Sequence, residues 1–415
     1  MSVAQQLQRS LREGSVAAAT EIARTLLTDL LGEAVTLINF TLDAYSLNSV
    51  SGTLTTKSGK SLFFKFHTEE GEEDSVSEYY QAELLATVGL PVDVPVAYST
   101  TPGSQVVVYK IRHERRMADV GVDLERNDPE LAQLPKDLAL AQRELDGHIG
   151  RVLLETLRPP VPESAATGIH QLFHQRLVTD GGYPGGRYAN WYLSQPTWNA
   201  IASKPWVIDG ITYPNSLTDL VDDVEQLLRP TELAKQWVAT AHGDDHAGNI
   251  WVVEGPTGPT LRLFDPAFAA ADIPALLAPI KATYHNVFAH PFWLYYPELV
   301  APVTYSFDDI VWVSTEADEE LSALRQEILN SLTDNVWLPL LLELKRVGAL
   351  PAHWRQIIRA GLVACPLLVT NLLAPGRSEG VQYLGLANVV RAGVEPVGDS
   401  DPISRWLDRL QEAVE

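Results

Sequence analysis

The sequence predicts an α+β protein with a small strand-rich region near the N-terminus and a larger, mainly helical region after it. Between residues 34 and 112, segments rich in β-branched and aromatic residues surround one helical segment. From about residue 125 onward, apolar residues recur at helical spacing. The chain has 415 residues, enough to bury a large core in two or three domains.

The elements of the small region follow from the spacing of apolar side chains. Residues 1–33 predict one or two amphipathic helices that form an N-terminal extension. The region 34–112 predicts strands, and the turn KSGK at 57–60 joins two of them in a hairpin. One helix begins near Glu78 and ends at Gly89. The predicted strands lie in AVTLINFTLD, in NSVSGTLTTKSGKSLFFKFH and in QVVVYKI.

Helical periodicity dominates the third region, residues 113–415, but a predicted hairpin interrupts it. The segments NIWVVE at 249–254 and TLRLFD at 260–265 are short and strand-like, and a turn rich in Gly and Pro joins them. The second strand of such a hairpin ends beside the start of the first. Residues near 249 and 265 are therefore expected to be neighbours.

Composition and charge limit the possible partners. The chain has 53 acidic and 31 basic residues, a formal net charge of −22. A surface of this charge repels nucleic acid and anionic membranes, so we expect neither as a partner. No segment has the ~18 consecutive apolar residues of a membrane helix, so we expect a cytoplasmic location. The single cysteine, Cys365, lies in an apolar run and is expected to be a buried core thiol.

The sequence HGDDHAGNI at 242–250 precedes the predicted hairpin and carries the chemistry. Asp244 and Asn249 belong to this loop, and the second strand delivers Asp265 to the same place. Phosphoryl transfer needs a carboxylate that orients the attacking hydroxyl. It also needs oxygen ligands that hold Mg²⁺ on the nucleotide phosphates. One loop and one hairpin can supply all of these groups.

At these residues the sequence resembles the aminoglycoside phosphotransferase and choline kinase superfamily, which is related to protein kinases. The family pattern is H-G-D-x-H-x-G-N, then a hairpin, then an aspartate, and this chain has it at 242–249 and at Asp265. The resemblance implies a two-lobed protein-kinase-like fold and an ATP- and Mg²⁺-dependent kinase that phosphorylates a hydroxyl of a small molecule. It implies that Asp244 is the catalytic base and that Asn249 and Asp265 bind magnesium.

The small region supplies candidate nucleotide-binding residues. Lys65 lies between apolar neighbours in SLFFKFH, where a lysine needs a partner. The resemblance implies that Lys65 contacts the phosphates and pairs with a helix glutamate, for which Glu78 is the first choice and Glu83 the second. It also implies that the strand ending near Tyr109 and Ile111 presents its backbone to the adenine. Polar residues such as Ser49 are candidates to cover the phosphates.

The chain departs from the family pattern at several positions. The loop before Ser49 lacks the Gly-rich signature of protein kinases. Asp245 stands where the family usually has an apolar residue, and it is either a solvated loop carboxylate or a charge that faces a cationic acceptor. The DPA sequence at 265–267 resembles the fructosamine kinase branch, which usually has tryptophan where this chain has His246.

Other interpretations remain open at this point. Asp244 and Asn249 are also residues that commonly cap turns. The His and Asp residues at 242–246 could serve a metal-dependent hydrolase, and a kinase-like fold could bind nucleotide without chemistry.

The acceptor is expected to be a low-molecular-weight compound that binds to helical segments near 170–235 and 275–300. The first contains a Gly-rich stretch that predicts a lid or a surface loop. The second is dense in aromatic residues, typical of either a pocket or a core segment. Asp245 and Asp272 favour a neutral or cationic acceptor such as an amino sugar or amino alcohol.

Overall fold

The computed structural model describes residues 3–41, 49–67, 81–126, 134–160, 173–179, 182–315, 321–398 and 400–415. The α+β prediction is confirmed, because an antiparallel sheet near the N-terminus precedes a mainly helical region.

The N-terminal sheet has five antiparallel strands in the order β1-β2-β3-β5-β4. The predicted hairpin turn between β2 and β3 is present, and Gly59 adopts a φ of 86° there. On β3, Leu62, Phe64 and Phe66 are buried in the core of the small lobe. Strands alternate faces, so Lys65 points to the opposite side, toward the rest of the molecule. The strands are β1 Val35–Thr41, β2 Ser49–Thr56, β3 Ser61–His67, β4 Ala97–Ser99 and β5 Val106–Lys110.

Two N-terminal helices, α1 Val3–Arg12 and α2 Val16–Leu31, cover the core side of this sheet. Leu7, Ala23 and Leu27 are completely buried against the strands. The helices predicted as an extension therefore share one hydrophobic core with the sheet.

The helix α3, Ala82–Thr87, and the segment after it connect the small lobe to the large one. Gly89 follows α3 with a φ of 90°, which favours glycine. Leu85 and Val92 belong to the core of the large lobe. The Asp93 amide donates to the Leu263 carbonyl at 2.9 Å, so this connection is tied to the predicted hairpin at 249–265.

The large lobe is built mainly from helices that share one extended hydrophobic core. Cys365 is buried there, as predicted, and burial raises the pKa of its thiol to about 12. The helices are α4 Met117–Glu125, α5 Leu134–Thr156, α6 Pro196–Ile201, α7 Leu217–Leu227, α8 Pro230–Leu233, α9 Ile280–Thr283, α10 Pro291–Tyr295, α11 Ala323–Leu332, α12 Leu338–Arg346, α13 Trp354–Val369, α14 Glu379–Gly393 and α15 Pro402–Val414.

In the described part of the large lobe, three small sheets lie among these helices. The predicted hairpin is present as β10 and β11, with β6 beside β10, and β9 pairs with β12 to carry the loop that leads into the hairpin. A four-stranded sheet has the order β13-β14-β7-β8. Their bounds are β6 Arg115–Arg116, β7 Trp206–Ile208, β8 Ile211–Tyr213, β9 Val238–Ala241, β10 Ile250–Val253, β11 Thr260–Leu263, β12 Ala270–Pro274, β13 Val303–Phe307 and β14 Val311–Thr315.

The sequence suggested a lid or a surface loop for the Gly-rich stretch, and its described part, 182–193, combines exposed residues with buried aromatic rings. Tyr188 and Tyr192 are buried and pack against the Trp198 ring. The Tyr192 hydroxyl donates to the Leu367 carbonyl at 2.9 Å. Buried aromatic rings therefore anchor this segment to the core of the large lobe.

None of the helices in the described part of the chain combines the length and apolar content needed to cross a membrane.

Candidate active site

The loop 242–249 leaves the buried strand β9 and enters the hairpin through one 3₁₀ turn, Ala247–Asn249. Gly243 has a φ of 75°, and a Cβ there would lie 2.5 Å from the Phe268 carbonyl oxygen. His242 Nε2 lies 3.0 Å from the carbonyl oxygen of Phe264, at the end of the hairpin. The loop is thus held in one conformation by its glycine and by its first histidine.

Asp244 lies at the centre of this loop and is largely buried. Its Oδ1 atom is 3.0 Å from Lys281 Nζ, and the Lys281 side chain is only 2% exposed. Asn249 Nδ2 donates to the Asp244 carbonyl oxygen at 2.8 Å and lies 3.4 Å from Oδ2. Burial is the largest single influence on the pKa of Asp244 and raises it, but the charge and hydrogen bond of Lys281, together with the nearby His246 and His242, outweigh burial, so the pKa is lowered.

Lys281 is a site residue that the sequence analysis missed. It lies on α9, 37 positions after Asp244, in the segment LAPIKATYHN. A lysine within a run of apolar residues is the signal that could have found it, because a buried ammonium group needs an opposite charge.

The hairpin brings Asn249 and Asp265 together, as the sequence predicted. Ile250 pairs with Leu263, and the Phe264 amide donates to the Asn249 carbonyl at 3.0 Å. Asp265 follows with a φ of 55°, an uncommon conformation for a residue other than glycine. This turn directs the Asp265 carboxylate away from the strand and toward the small lobe.

Lys65 forms an ion pair with Asp265, across 200 positions of sequence. The Lys65 and Asp265 side chains are 15% and 27% exposed. The contact joins the inner face of the N-terminal sheet to the end of the β10–β11 hairpin, so Lys65 lies at the candidate site instead of on a solvent-facing surface.

A cavity of about 440 Å³ lies between the sheet and the hairpin. Lys65, Asn249 and Asp265 line one part of it, and Tyr109 and Ile111 line another. A nucleotide cleft is expected to have this arrangement, in which polar side chains can contact the phosphates and the end of a strand can contact the nucleobase.

Two of the residues predicted to bind the nucleotide lie wholly or partly outside the described part of the structure. Glu78 lies outside the described residues, and so does the side chain of Ser49, whose backbone begins β2. Glu83, the second choice as a partner of Lys65, is exposed on α3.

The two predicted magnesium ligands suit a hard divalent cation. Because Asn249 donates through Nδ2, its amide oxygen remains the atom suited to a metal, and Asp265 offers carboxylate oxygens in the same cavity. Two protein oxygens with nucleotide phosphates are a usual environment for Mg²⁺.

The histidines of the loop are arranged as structural groups. His242 uses Nδ1 to accept from the Asp244 amide at 3.3 Å and Nε2 at the Phe264 carbonyl. His246 Nδ1 accepts from the Gly248 amide at 3.1 Å, and burial lowers the pKa of this imidazole to about 4. Among the described residues, no group of three His, Cys, Asp or Glu side chains is arranged to hold a metal. The nitrogen atoms of His242 and the Nδ1 atom of His246, which the hydrolase interpretation needs as metal ligands, instead contact backbone groups of the loop and hairpin.

Asp245 is buried, so its interpretation as a solvated loop carboxylate is wrong. Its side chain lies beside Leu90, Ile149 and Val152 in a small void inside the large lobe. Burial raises the pKa of this carboxyl group. Asp245 thus points into the protein rather than toward a bound acceptor.

Comparison with known proteins finds distant structural similarity. No family model and no curated protein matches the sequence of this chain. An aminoglycoside phosphotransferase, APH(2")-IIia, solved with GDP and kanamycin, aligns at 13% identity over 94% of this chain and 97% of its own, with a TM-score of 0.40. The macrolide 2'-phosphotransferase MphH from Brachybacterium faecium aligns at 13% identity over 89% of this chain and 97% of its own, with a TM-score of 0.37.

A microcompartment-associated aminopropanol kinase aligns at 12% identity over 95% of this chain and 98% of its own, with a TM-score of 0.38. At these identities and TM-scores the likeness does not indicate a shared activity. The site itself has to carry any functional conclusion.

Proposed function

We propose that this protein is a small-molecule kinase that transfers the γ-phosphoryl group of ATP to a hydroxyl group. The observation that supports this best is the Lys65–Asp265 ion pair at the cleft, beside Asn249 and the buried Asp244. A phosphate-binding cation, two oxygen ligands and a base are the groups that phosphoryl transfer requires.

The nucleotide occupies the 440 Å³ cavity between the lobes. The adenine lies near Tyr109 and Ile111, and Lys65 contacts the phosphates. Binding of the phosphates replaces the direct ion pair between Lys65 and Asp265, because both groups then act on the nucleotide. Asn249 and Asp265 would hold Mg²⁺, which when bound would neutralise charge on the phosphates.

Asp244 orients the acceptor hydroxyl and takes up its proton. The acceptor oxygen forms a bond to the γ-phosphorus as the bond from that phosphorus to the bridging oxygen breaks. The electron pair of the broken bond leaves on the β-phosphate of ADP. Lys281 and Asn249 hold the Asp244 carboxylate in place, so the protein contributes positioning and charge neutralisation.

The proposal is tested by ADP production from ATP and MgCl₂ across a panel of sugars, amino alcohols, nucleosides and antibiotics. We expect acceptor-dependent ADP release and a phosphorylated product by mass spectrometry. Asp244→Asn keeps the size of the side chain and should abolish transfer while ATP still raises the melting temperature. Unchanged transfer by Asp244→Asn would rule out this residue as the base. An ATP-induced shift without transfer to any compound would favour a nucleotide-binding protein without kinase chemistry.

A further inference from the structure

A second cavity, of about 250 Å³, lies in the large lobe on the other side of the catalytic loop. Residues of α4 and α5, of the loop, of the segment from His285 to Tyr295 and of the start of α11 form its wall. Gly248 lines both this cavity and the nucleotide cleft. A molecule bound here therefore lies next to the loop that carries Asp244.

The described wall of this cavity is mostly apolar and its charges are compensated. Arg325 Nε lies 3.0 Å from Glu125 Oε1, and the Ser322 hydroxyl donates to the same oxygen at 2.6 Å. Neither Asp245 nor Asp272 lines the cavity. The apolar part of the wall comes from Met117, Ala118, Leu124, Ala289, Leu324 and Ile328.

Two buried polar residues on this wall have atoms that no other described group satisfies. Gln142 donates through Nε2 to Asp146 at 2.8 Å, and its Oε1 atom has no hydrogen-bond partner among the described residues. His285 Nδ1 lies 3.1 Å from the Tyr295 hydroxyl, and its Nε2 atom likewise has no partner within the described ranges. Gln142 and His285 are 2% and 8% exposed.

Unsatisfied buried polar atoms are rare in folded proteins and indicate a missing partner. Gln142 Oε1 can only accept a hydrogen bond, so it requires a donor on the ligand. Burial lowers the pKa of His285 far below its usual value, so the imidazole is neutral and does not attract an anion. A cation would find no uncompensated carboxylate on the described wall, and burying it there is unfavourable.

We propose that this cavity is the acceptor site and that it binds an uncharged, mainly apolar alcohol carrying a second hydrogen-bonding group. This inference rests on the proposed kinase function. The second polar group binds Gln142 and His285, and the hydroxyl to be phosphorylated lies at the Gly248 end. The amino sugar or amino alcohol suggested by the charge of Asp245 and Asp272 does not suit this wall.

The charge preference can be tested with two probes of nearly equal size. Phenylethanediol is neutral, whereas phenylethanolamine carries an ammonium group. Their binding to the full-length protein with ADP and MgCl₂ is measured by isothermal titration calorimetry. We expect the diol to bind at least about tenfold more tightly than the amine. The ammonium group of phenylethanolamine would lose its hydrating water without gaining a carboxylate partner in the cavity. Equal affinity, or tighter binding of the amine, would overturn the inference.

The location can be tested by filling the cavity. Gly121 lies on α4 and lines the cavity, and a Cβ there meets nothing within 4 Å. Gly121→Leu should weaken binding of phenylethanediol about tenfold or more by occupying the space. Gly147→Leu is the matched control, because Gly147 is also helical and open but does not line the cavity. Unchanged affinity in Gly121→Leu would place the probe elsewhere and overturn the inference.

A second variant and a second measurement distinguish failure of the acceptor-site proposal from failure of the kinase proposal. Ala323→Leu changes an exposed residue at the same cavity and serves if Gly121→Leu does not fold. The increase in melting temperature with ATP and MgCl₂ tests the kinase proposal separately. An ATP shift without diol binding contradicts the acceptor site alone. Diol binding lost in Gly121→Leu, without an ATP shift in wild type, contradicts the kinase function alone.

Discussion

Lys281 Nζ lies 3.0 Å from Asp244 Oδ1, which joins α9 to the catalytic loop inside the large lobe. The two side chains are 2% and 15% exposed, so each charge depends on the other. A buried ion pair of this kind is costly to break from one side, because the remaining charge has no partner.

Lys281→Met is therefore expected to lower the free energy of unfolding by about 3–5 kcal/mol and to reduce turnover. Urea unfolding at neutral pH measures the first effect and ADP production the second. The double variant Lys281→Met with Asp244→Asn removes both charges and should be more stable than Lys281→Met alone. Equal stability of the single and double variants would show that the pair is not coupled.

Asp265→Asn is expected to reduce phosphoryl transfer by a factor of about 100 or more while the protein remains folded. The change removes a negative charge from the cleft but keeps a residue type that tolerates the φ of 55°. ADP production at several MgCl₂ concentrations measures the effect, and circular dichroism checks the fold. Glu254→Gln, on an exposed residue after β10, is the control and should retain full activity.

Lys65→Met is expected to weaken ATP binding about tenfold or more, because the cavity loses its phosphate-binding ammonium group. Titration of ATP with MgCl₂, followed by calorimetry, gives the affinity. Lys60→Met removes a lysine whose side chain is 69% exposed in the preceding turn, and its affinity should match wild type. Similar losses in both variants would indicate a general charge effect instead of a contact by Lys65.

Asp146→Asn is expected to stabilise the protein more at pH 8 than at pH 4. Burial raises the pKa of Asp146 to about 7 in the folded protein. The unfolded chain therefore loses this proton first, and the folded state loses stability as the pH rises from about 4 to about 7. Urea unfolding at both pH values measures the difference. Glu144→Gln, an exposed change on the same helix, should show no such trend.

Gly243→Ala is expected to destabilise the catalytic loop by about 1–3 kcal/mol and to lower activity. Its φ is 75° and a Cβ would meet the Phe268 carbonyl oxygen at 2.5 Å. Gly210→Ala has a φ of 86° but no atom within 4 Å of the new Cβ, so it tests the backbone strain alone. Melting temperatures of the two variants should separate the clash from the strain. Equal shifts would contradict a contribution from the clash.

Local pattern was sufficient for the fold class and the centre of the site. Aromatic and β-branched residues predicted β3, and two strand-like segments around a turn rich in Gly and Pro predicted the hairpin that brings Asn249 and Asp265 together. Both features depend on residues that are close in sequence or on the same strand pair. The ion pair of Lys65 with Asp265 was not predicted, because it depends on how the two lobes meet.

The predictions for Asp245 and for the Gly-rich stretch also failed where tertiary packing decides the outcome. Asp245 was considered a solvated or ligand-facing charge, but its backbone position directs it into the large lobe. The glycines of 182–193 suggested a lid, whereas the aromatic residues between them are packed in the core.

The sequence by itself determined the fold class, the strands β1, β2, β3 and β5, the loop HGDDHAGNI and the hairpin that follows it, because local residue pattern specifies them. It did not predict the four-stranded sheet β13-β14-β7-β8 of the large lobe, whose strands are short and come from distant parts of the chain. Tertiary structure decided that Lys281 reaches Asp244, that Asp245 is buried and that an apolar cavity adjoins Gly248. These features arise where helices distant in sequence pack together. Side-chain burial and charge pairing there depend on the whole core rather than on any local pattern.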